Sequence, residues 1–465
     1  MNQHAFKTPA IPPVGGGEEI FRARSSPVPL PLIVRAEGIY QWDEDGNRYI
    51  DLSSGPIVSN IGHGNAYVAD AMAKQAKTMD FAYSRVARQQ PNIDLADKIA
   101  RLAGPGFERV FLSSGGSEAN EIAIKFLRTY DLAFGTGKRT KVISLMPSYH
   151  GGTMFTLAMS GDDDLVPYLD GFQPLQHRVP APLTYRVPQN HTPETYARHC
   201  ADALDAKINE LGPDTVLAFI MEPVGGLATG CNVPPAGYHR QIRQICSKHN
   251  IALIYDEVLC GTGRTGKFLA AHNWPDALPD IIVMAKGLGS GYTPLGATLM
   301  PAKWADRLAE HTGFSFSHTY CANPVSCATG VAVLEEYERQ NVIANTVEQG
   351  AYLRKGLELM MKDSPVIGDV RGMGLCMAVE LVADKATKAP FPVNFAPTDY
   401  MRIAGLKNGL IIYARRTAKG RNGDWIIVAP PMNVTRRECD ECLTLLRATF
   451  AEFEKDVRAR GLIAS

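Results

Sequence analysis

The stretch IALIYDEVLCGTGRTGKFLAAHNWPDALPDIIVMAK (251–286) carries the reading of the fold. It opens and closes on short runs of Ile, Leu, Val, Ala and Met with no polar alternation. Unbroken apolarity over so few residues suits a strand covered on both faces, the pattern of a parallel sheet in an α/β unit. Each run ends on a chemically capable side chain, Asp256 after IALIY and Lys286 after IIVMA.

Working outward, RVFLSS (109–114), KVISLM (141–146) and TVLAFIME (215–222) repeat the pattern, the last ending on Glu222. Helical periodicity separates the runs. In SEANEIAIKFLRTY (117–130), Ala119, Ile122, Ala123, Phe126, Leu127 and Tyr130 fall on one face. Nearer the front, GIYQWDEDGNRYIDL (38–52) places two β-prone runs around a D-E-D-G-N turn, which predicts a hairpin. Residues 1–30 are rich in Pro, Gly and Ser and read as an arm. Beyond about 330 come helix, short strands in GLCMAVELV and DWIIVAP, and a final helix. The expected division is an N-terminal arm with part of a small domain (1–70), a large α/β domain (71–330) and a C-terminal small α+β domain (331–465).

Three reactive groups at strand ends matter because ligands of open α/β sheets bind beyond the carboxyl ends of the strands. A lysine buried after an apolar strand is pushed toward its neutral, nucleophilic form. Asp256, thirty positions before Lys286, could sit on the neighbouring strand. In FLSSGGSEANEIAIKF (111–126), a strand and a glycine turn lead into a helix, with Ser117 as its expected N-cap and free amides suited to a phosphate. GTGRTG (261–266) lacks the GxxxxGK[ST] order and is not a P-loop.

Taken in order, SSGGSEANEIAIK, SYHGGT (148–153), MEPV (221–224), DEVLCGTGRTGKF (256–268), AKGLGSGYTPLGA (285–297) and SHTYCANP (317–324) resemble the class III aminotransferases. GIYQWDEDGNRYIDL and GDVRGMGLCMAVELV (368–382) extend the likeness over nearly the whole chain. The resemblance implies pyridoxal 5'-phosphate (PLP) fold type I, a homodimer with active sites at the subunit interface, and ping-pong amino transfer. By the same resemblance, Lys286 is the Schiff-base lysine and proton shuttle, and Asp256 the partner of the cofactor's ring nitrogen. Gly116 and Ser117 match the phosphate-binding pair, Tyr149 the ring-stacking aromatic with His150 beside it, and Val258 the residue on the opposite ring face. Glu222 matches the acid near the phenolic oxygen, and Thr319 the phosphate ligand donated by the neighbouring subunit.

Departures from the family pattern narrow the substrate. Members using glutamate and 2-oxoglutarate resemble E-P-[IV]-Q-x-E, and here the second acid is Leu227; their arginine before A-P-P is replaced by the apolar WIIVAPP (425–431). The chain is thus more similar to the omega-type branch, with an amine or ω-amino acid as donor and pyruvate as acceptor. Arg415 and Arg416, in YARRTAKGRNGDW, are both candidates to meet the acceptor carboxylate. The alternative reading is an aminomutase or decarboxylase of the same fold.

Lys plus Arg and Asp plus Glu number 48 each, so the formal net charge is zero, and no basic run marks a nucleic-acid or membrane partner. Nine scattered cysteines fit a reducing compartment, and the lone C-x-x-C at Cys439 and Cys442 has no second pair to make a metal site. The first residues have no apolar core of a signal peptide, and no run reaches the ~18 apolar residues of a membrane span. The expectation is a cytoplasmic protein acting on small molecules.

Overall fold

The computed structural model describes residues 30–169 and 176–463, so the expected N-terminal arm lies almost wholly outside the described residues. The chain enters through β1 (Ile33–Glu37), β2 (Tyr40–Asp43) and β3 (Arg48–Asp51), joined antiparallel. The D-E-D-G-N turn forms because the Asp43 carboxylate accepts the backbone N–H of Asp45 (3.1 Å) and of Asn47 (2.8 Å), while Gly46 takes a φ of +81°. The predicted hairpin is present.

The central sheet has seven strands: β4 (Arg109–Ser113), β5 (Lys141–Met146), β6 (Gln176–Pro180), β7 (Val216–Met221), β8 (Ala252–Asp256), β9 (Ile281–Met284) and β10 (Gly296–Met300). Their order is β4-β10-β9-β8-β7-β5-β6, parallel except for β10, which runs against both neighbours. The unbroken apolar runs have a direct cause. Ala218, Ile220, Ile254, Ile281 and Val283 join one core with Ala119, Ala123 and Phe126 of the helix Gly116–Phe134. Phe219, Leu253, Tyr255 and Ile282 point the other way, into a core shared with Leu204 and Ile242. Both faces are covered, so every position is apolar.

Two strands of the central sheet are missing from the sequence reading. β6 is an edge strand, QHRVP, paired among the described residues only with β5 and too polar to stand out. β10 begins inside the glycine-rich segment after Lys286 and carries Thr298, whose hydroxyl donates to Ala119 O in the buried helix–sheet contact.

Toward the C-terminus, β11 (Ile367–Met373), β12 (Cys376–Leu381), β14 (Ala414–Thr417) and β15 (Gly423–Val428) form an antiparallel sheet. The short β13 (Leu410–Ile411) pairs parallel with β3, tying the front of the chain to its end. Cys439 and Cys442 lie on the inner face of the helix Arg436–Ala459 and are buried in its core contacts. The GTGRTG run proves to be a joint. The buried Arg264 guanidinium donates to Ser54 Oγ (3.0 Å), Asn60 Oδ1 (2.7 Å), Leu375 O and Ala429 O (3.3 Å each), linking both chain ends to the large sheet. Among the described residues, no helix is long and apolar enough to cross a membrane.

Candidate active site

The carboxyl ends of β7, β8 and β9 are adjacent, so Glu222, Asp256 and Lys286 converge on one cavity of about 310 Å³. Gly116, Ser117, Tyr149, His150, Leu227 and Val258 line it as well. Eight of the sequence-derived positions are therefore brought together by strand adjacency, although they span residues 116–286 of the chain.

Lys286 opens a tight turn after β9 with a φ of +41°, a left-handed conformation that costs a β-carbon-bearing residue roughly 1–3 kcal/mol. The turn is held from below. Tyr337 donates its hydroxyl to Gly287 O (2.9 Å) and accepts Asn60 Nδ2 (2.8 Å); a β-carbon on Gly287 would stand 2.1 Å from Asn60 Nδ2. Burial lowers the pKa of the Lys286 ammonium, with the charges of Asp256 and Glu222 opposing that shift. A desolvated lysine at a strained strand end is prepared to act as a nucleophile and proton carrier.

Asp256 is fixed on three sides. Its Oδ2 accepts Asn120 Nδ2 (2.9 Å) and faces His150 Nδ1 (2.8 Å), and its Oδ1 accepts the Val258 N–H (3.1 Å). Asn120 also donates to His150 O (2.8 Å), locking the network. Asn120 is a site residue that the sequence reading missed. Its signal was available: it is a fully polar side chain beside Ala119 on the sheet-facing side of a helix, and it is buried.

The helix Gly116–Phe134 departs from expectation at its start. Its N-cap is Gly115, not Ser117, so the N-cap residue has no side chain to occupy the first amides. The Ser117 hydroxyl instead accepts the Gly152 N–H (3.0 Å), joining the helix to the Tyr149–Gly152 loop. The change strengthens the anion site, because a glycine cap leaves the helix N-terminus open toward the cavity. Gly116 is required there. A β-carbon would lie 2.9 Å from Val258 Cγ2.

The Glu222 carboxylate accepts the N–H of Tyr149 (3.2 Å) and of Gly226 (2.9 Å), and burial pushes its pKa from 4.5 to about 7. The sign follows from proton counting. Between pH 4.5 and 7 the unfolded chain releases this proton while the folded chain keeps it, so stability falls as pH rises and is level above 7. A shift of this size is on the order of 3 kcal/mol. Glu222→Gln in the cofactor-free protein should therefore gain stability over the wild type at pH 8 relative to pH 5, read by denaturant unfolding at both values. An equal difference at the two pH values would show that burial does not hold Glu222 protonated.

Three positions lie outside the cavity. Thr319 is exposed in the turn before the helix Pro324–Arg339 and does not reach the site of its own chain. Arg415 and Arg416, adjacent on β14, project to opposite faces, as strand geometry requires. Arg416 is built in: it pairs with Asp424 (3.2 Å) and donates to Phe391 O and Lys419 O (3.0 Å each). Arg415 pairs with Asp162 and is near enough to Tyr149 and Tyr413 for its charge to oppose the rise that burial imposes on both phenols.

The chemistry of this donor set fits PLP. Open helix amides suit its phosphate, the fixed Asp256 carboxylate suits a protonated ring nitrogen, and Lys286 suits its aldehyde carbon. The buried His150 Nε2 and Asn120 Oδ1 still have no partner among the described residues. The fold and these groups define a fold-type-I PLP enzyme. A family model described as "Aminotransferase class-III" matches residues 21–450. The chain is 36% identical over 422 residues to the diaminobutyrate–2-oxoglutarate transaminase of Halomonas elongata, covering 89% of this chain and 88% of that protein. It is 32% identical over 438 residues to the vanillin aminotransferase of Capsicum annuum, covering 92% and 93%. The solved (S)-enantioselective omega-transaminase from Thermomicrobium roseum superposes with a TM-score of 0.84 at 34% identity, covering 91% of this chain and 93% of that one. The chain belongs to the class III aminotransferase family and is a PLP-dependent transaminase.

Proposed function

We propose that this transaminase moves an amino group from an amine or ω-amino acid to a keto acid, with pyruvate the favoured acceptor, in ping-pong order. The observation that carries the acceptor reading is apolar. Leu227 and Ile427, which stand where the glutamate-using members tend to keep an acid and an arginine, pack in one buried cluster with Ile57, Leu259 and Trp425. That wall offers nothing to a second carboxylate, and burying one unpaired costs several kcal/mol. The solved omega-transaminase among the similar structures supports the same branch. The relative named for 2-oxoglutarate favours that acceptor as the second reading.

Within this reading, PLP bound at the cavity supplies an electron-withdrawing ring that stabilises negative charge on the substrate carbon. Asp256 holds the ring nitrogen's proton, and the Asn120–His150 contacts keep Asp256 aimed. Lys286 holds and moves a proton at Nζ. Gly116 and Ser117 seat the phosphate, while Tyr149 and Val258 confine the ring, with Glu222 near its phenolic oxygen. We read Thr319 as donated to the cavity of a second subunit in a homodimer, in keeping with its exposure away from its own. We also divide the chain into an arm with part of the small domain (1–70), a large domain (71–330) and a small domain (331–465), a division supported by the β3–β13 pairing.

Pyruvate should exceed 2-oxoglutarate in kcat/KM by at least about tenfold, or ~1.4 kcal/mol, in a two-acceptor comparison with one amine donor. Arg415→Ala should raise the KM for pyruvate and leave the half-reaction with an uncharged amine largely intact. Arg416→Ala should act on folding, destabilising by about 3–5 kcal/mol in unfolding experiments, because it strands the buried Asp424. A preference for 2-oxoglutarate, or an Arg415 variant with unchanged kinetics, would refute the acceptor assignment.

A further inference from the structure

Arg415 is not waiting in open solvent. Its guanidinium is paired with Asp162, whose carboxylate is only 3% exposed, against 27% for the arginine. Each partner is linked to residues of the cavity lining through one intervening contact. Asp162 follows Gly161, which exchanges both backbone hydrogen bonds with Ser148, the residue before Tyr149. Arg415 stands opposite Trp425 in the β14–β15 register, and Trp425 packs with Leu227 and Leu259 of the cavity lining. A second ion pair, Arg421–Asp163 (3.0 Å), ties the same two segments together.

We propose that Asp162 is the resting counter-ion of Arg415 and thereby sets how much the enzyme favours uncharged over carboxylate-bearing substrates. The inference rests on the acceptor reading above. With an uncharged amine in the cavity, the guanidinium stays on Asp162. A keto acid must take the guanidinium away from a carboxylate that is itself buried, and among the described residues the carboxylate left behind keeps only the Asp164 N–H at its Oδ1 (3.0 Å). Leaving a buried charge short of its partner is unfavourable. That cost enters the acceptor's KM and not the chemistry of an uncharged donor. Asp162 is a positioning residue, acting through Arg415.

The test is a double-mutant cycle on the holoenzyme, reading KM and kcat for pyruvate and the single-turnover rate with an uncharged amine. Asp162→Asn keeps an acceptor for the Asp164 N–H and removes the charge. It should lower the pyruvate KM at least threefold, with the effect absent in the Asp162→Asn/Arg415→Ala double variant, which should match Arg415→Ala. Asp162→Glu, retaining the charge, should not lower KM. If the asparagine variant does not fold, Asp162→Ser provides a neutral oxygen one bond nearer the backbone. A pyruvate KM that rises in the neutral variants, or falls equally without Arg415, overturns the inference while a raised KM in Arg415→Ala leaves the acceptor reading standing. An Arg415→Ala enzyme with wild-type KM removes both.

Discussion

Lys286→Ala should lower amino transfer by roughly a thousandfold or more, the scale expected when a group that shuttles protons is deleted along with the covalent attachment it provides. The geometry behind this figure is specific. Among the described residues Lys286 is the only lysine lining the cavity, and its ammonium lies in the field of two carboxylates, Asp256 at the end of the adjacent strand β8 and Glu222 at the end of β7 beyond it. Its pKa is lowered by burial, so a free amine becomes available nearer neutral pH than on an exposed lysine. Borohydride reduction of the wild-type holoenzyme should fix the cofactor on the peptide containing Lys286, seen by mass spectrometry; the alanine variant should release it on denaturation. Near-normal turnover in the alanine variant would refute the assignment of Lys286.

The second large effect is expected at Asp256→Asn, a loss of about two or more decades in rate, equivalent to ~1.4 kcal/mol per decade. From sequence alone the exchange looks almost isosteric and neutral for folding. The structure adds a cost. Oδ1 accepts from Val258 N–H and Oδ2 accepts from Asn120 Nδ2, so the new NH2 group must face a donor whichever way it turns. A stability loss of about 1–3 kcal/mol should therefore accompany the loss of rate. Rates measured at saturating cofactor separate the two, and a fall of less than threefold would mean that Asp256 does not hold the ring nitrogen's proton. Asn120→Ala should reproduce part of the kinetic defect, since it frees one side of the same carboxylate.

Much of this is legible in the sequence. The strands β4, β5, β7, β8 and β9 were readable because a strand covered on both faces must be apolar at every position. Glu222, Asp256 and Lys286 were readable because a charged group directly after such a strand has few structural reasons to be there. Two strands of the same sheet were not. β6 is a polar edge, and β10 is short and interrupted by Thr298, whose hydroxyl is satisfied only across the helix–sheet contact.

What the sequence by itself determined is the inventory: a mostly parallel sheet, a lysine and two acids at its strand ends, a glycine turn before a helix, and the family these compose. Each depends on residues close together in the chain, where local patterning acts. What only the tertiary structure decided is the pairing of groups far apart in it. Ser117 could have capped its own helix, yet its hydroxyl takes a hydrogen bond from a loop 35 positions away. Arg264 might have lain in a nucleotide loop, and instead its guanidinium finds oxygens from both chain ends. Arg415 and Arg416 are interchangeable as letters. The alternation of a strand sends one to the buried Asp424 and the other to Asp162, and only the folded sheet fixes which face is which.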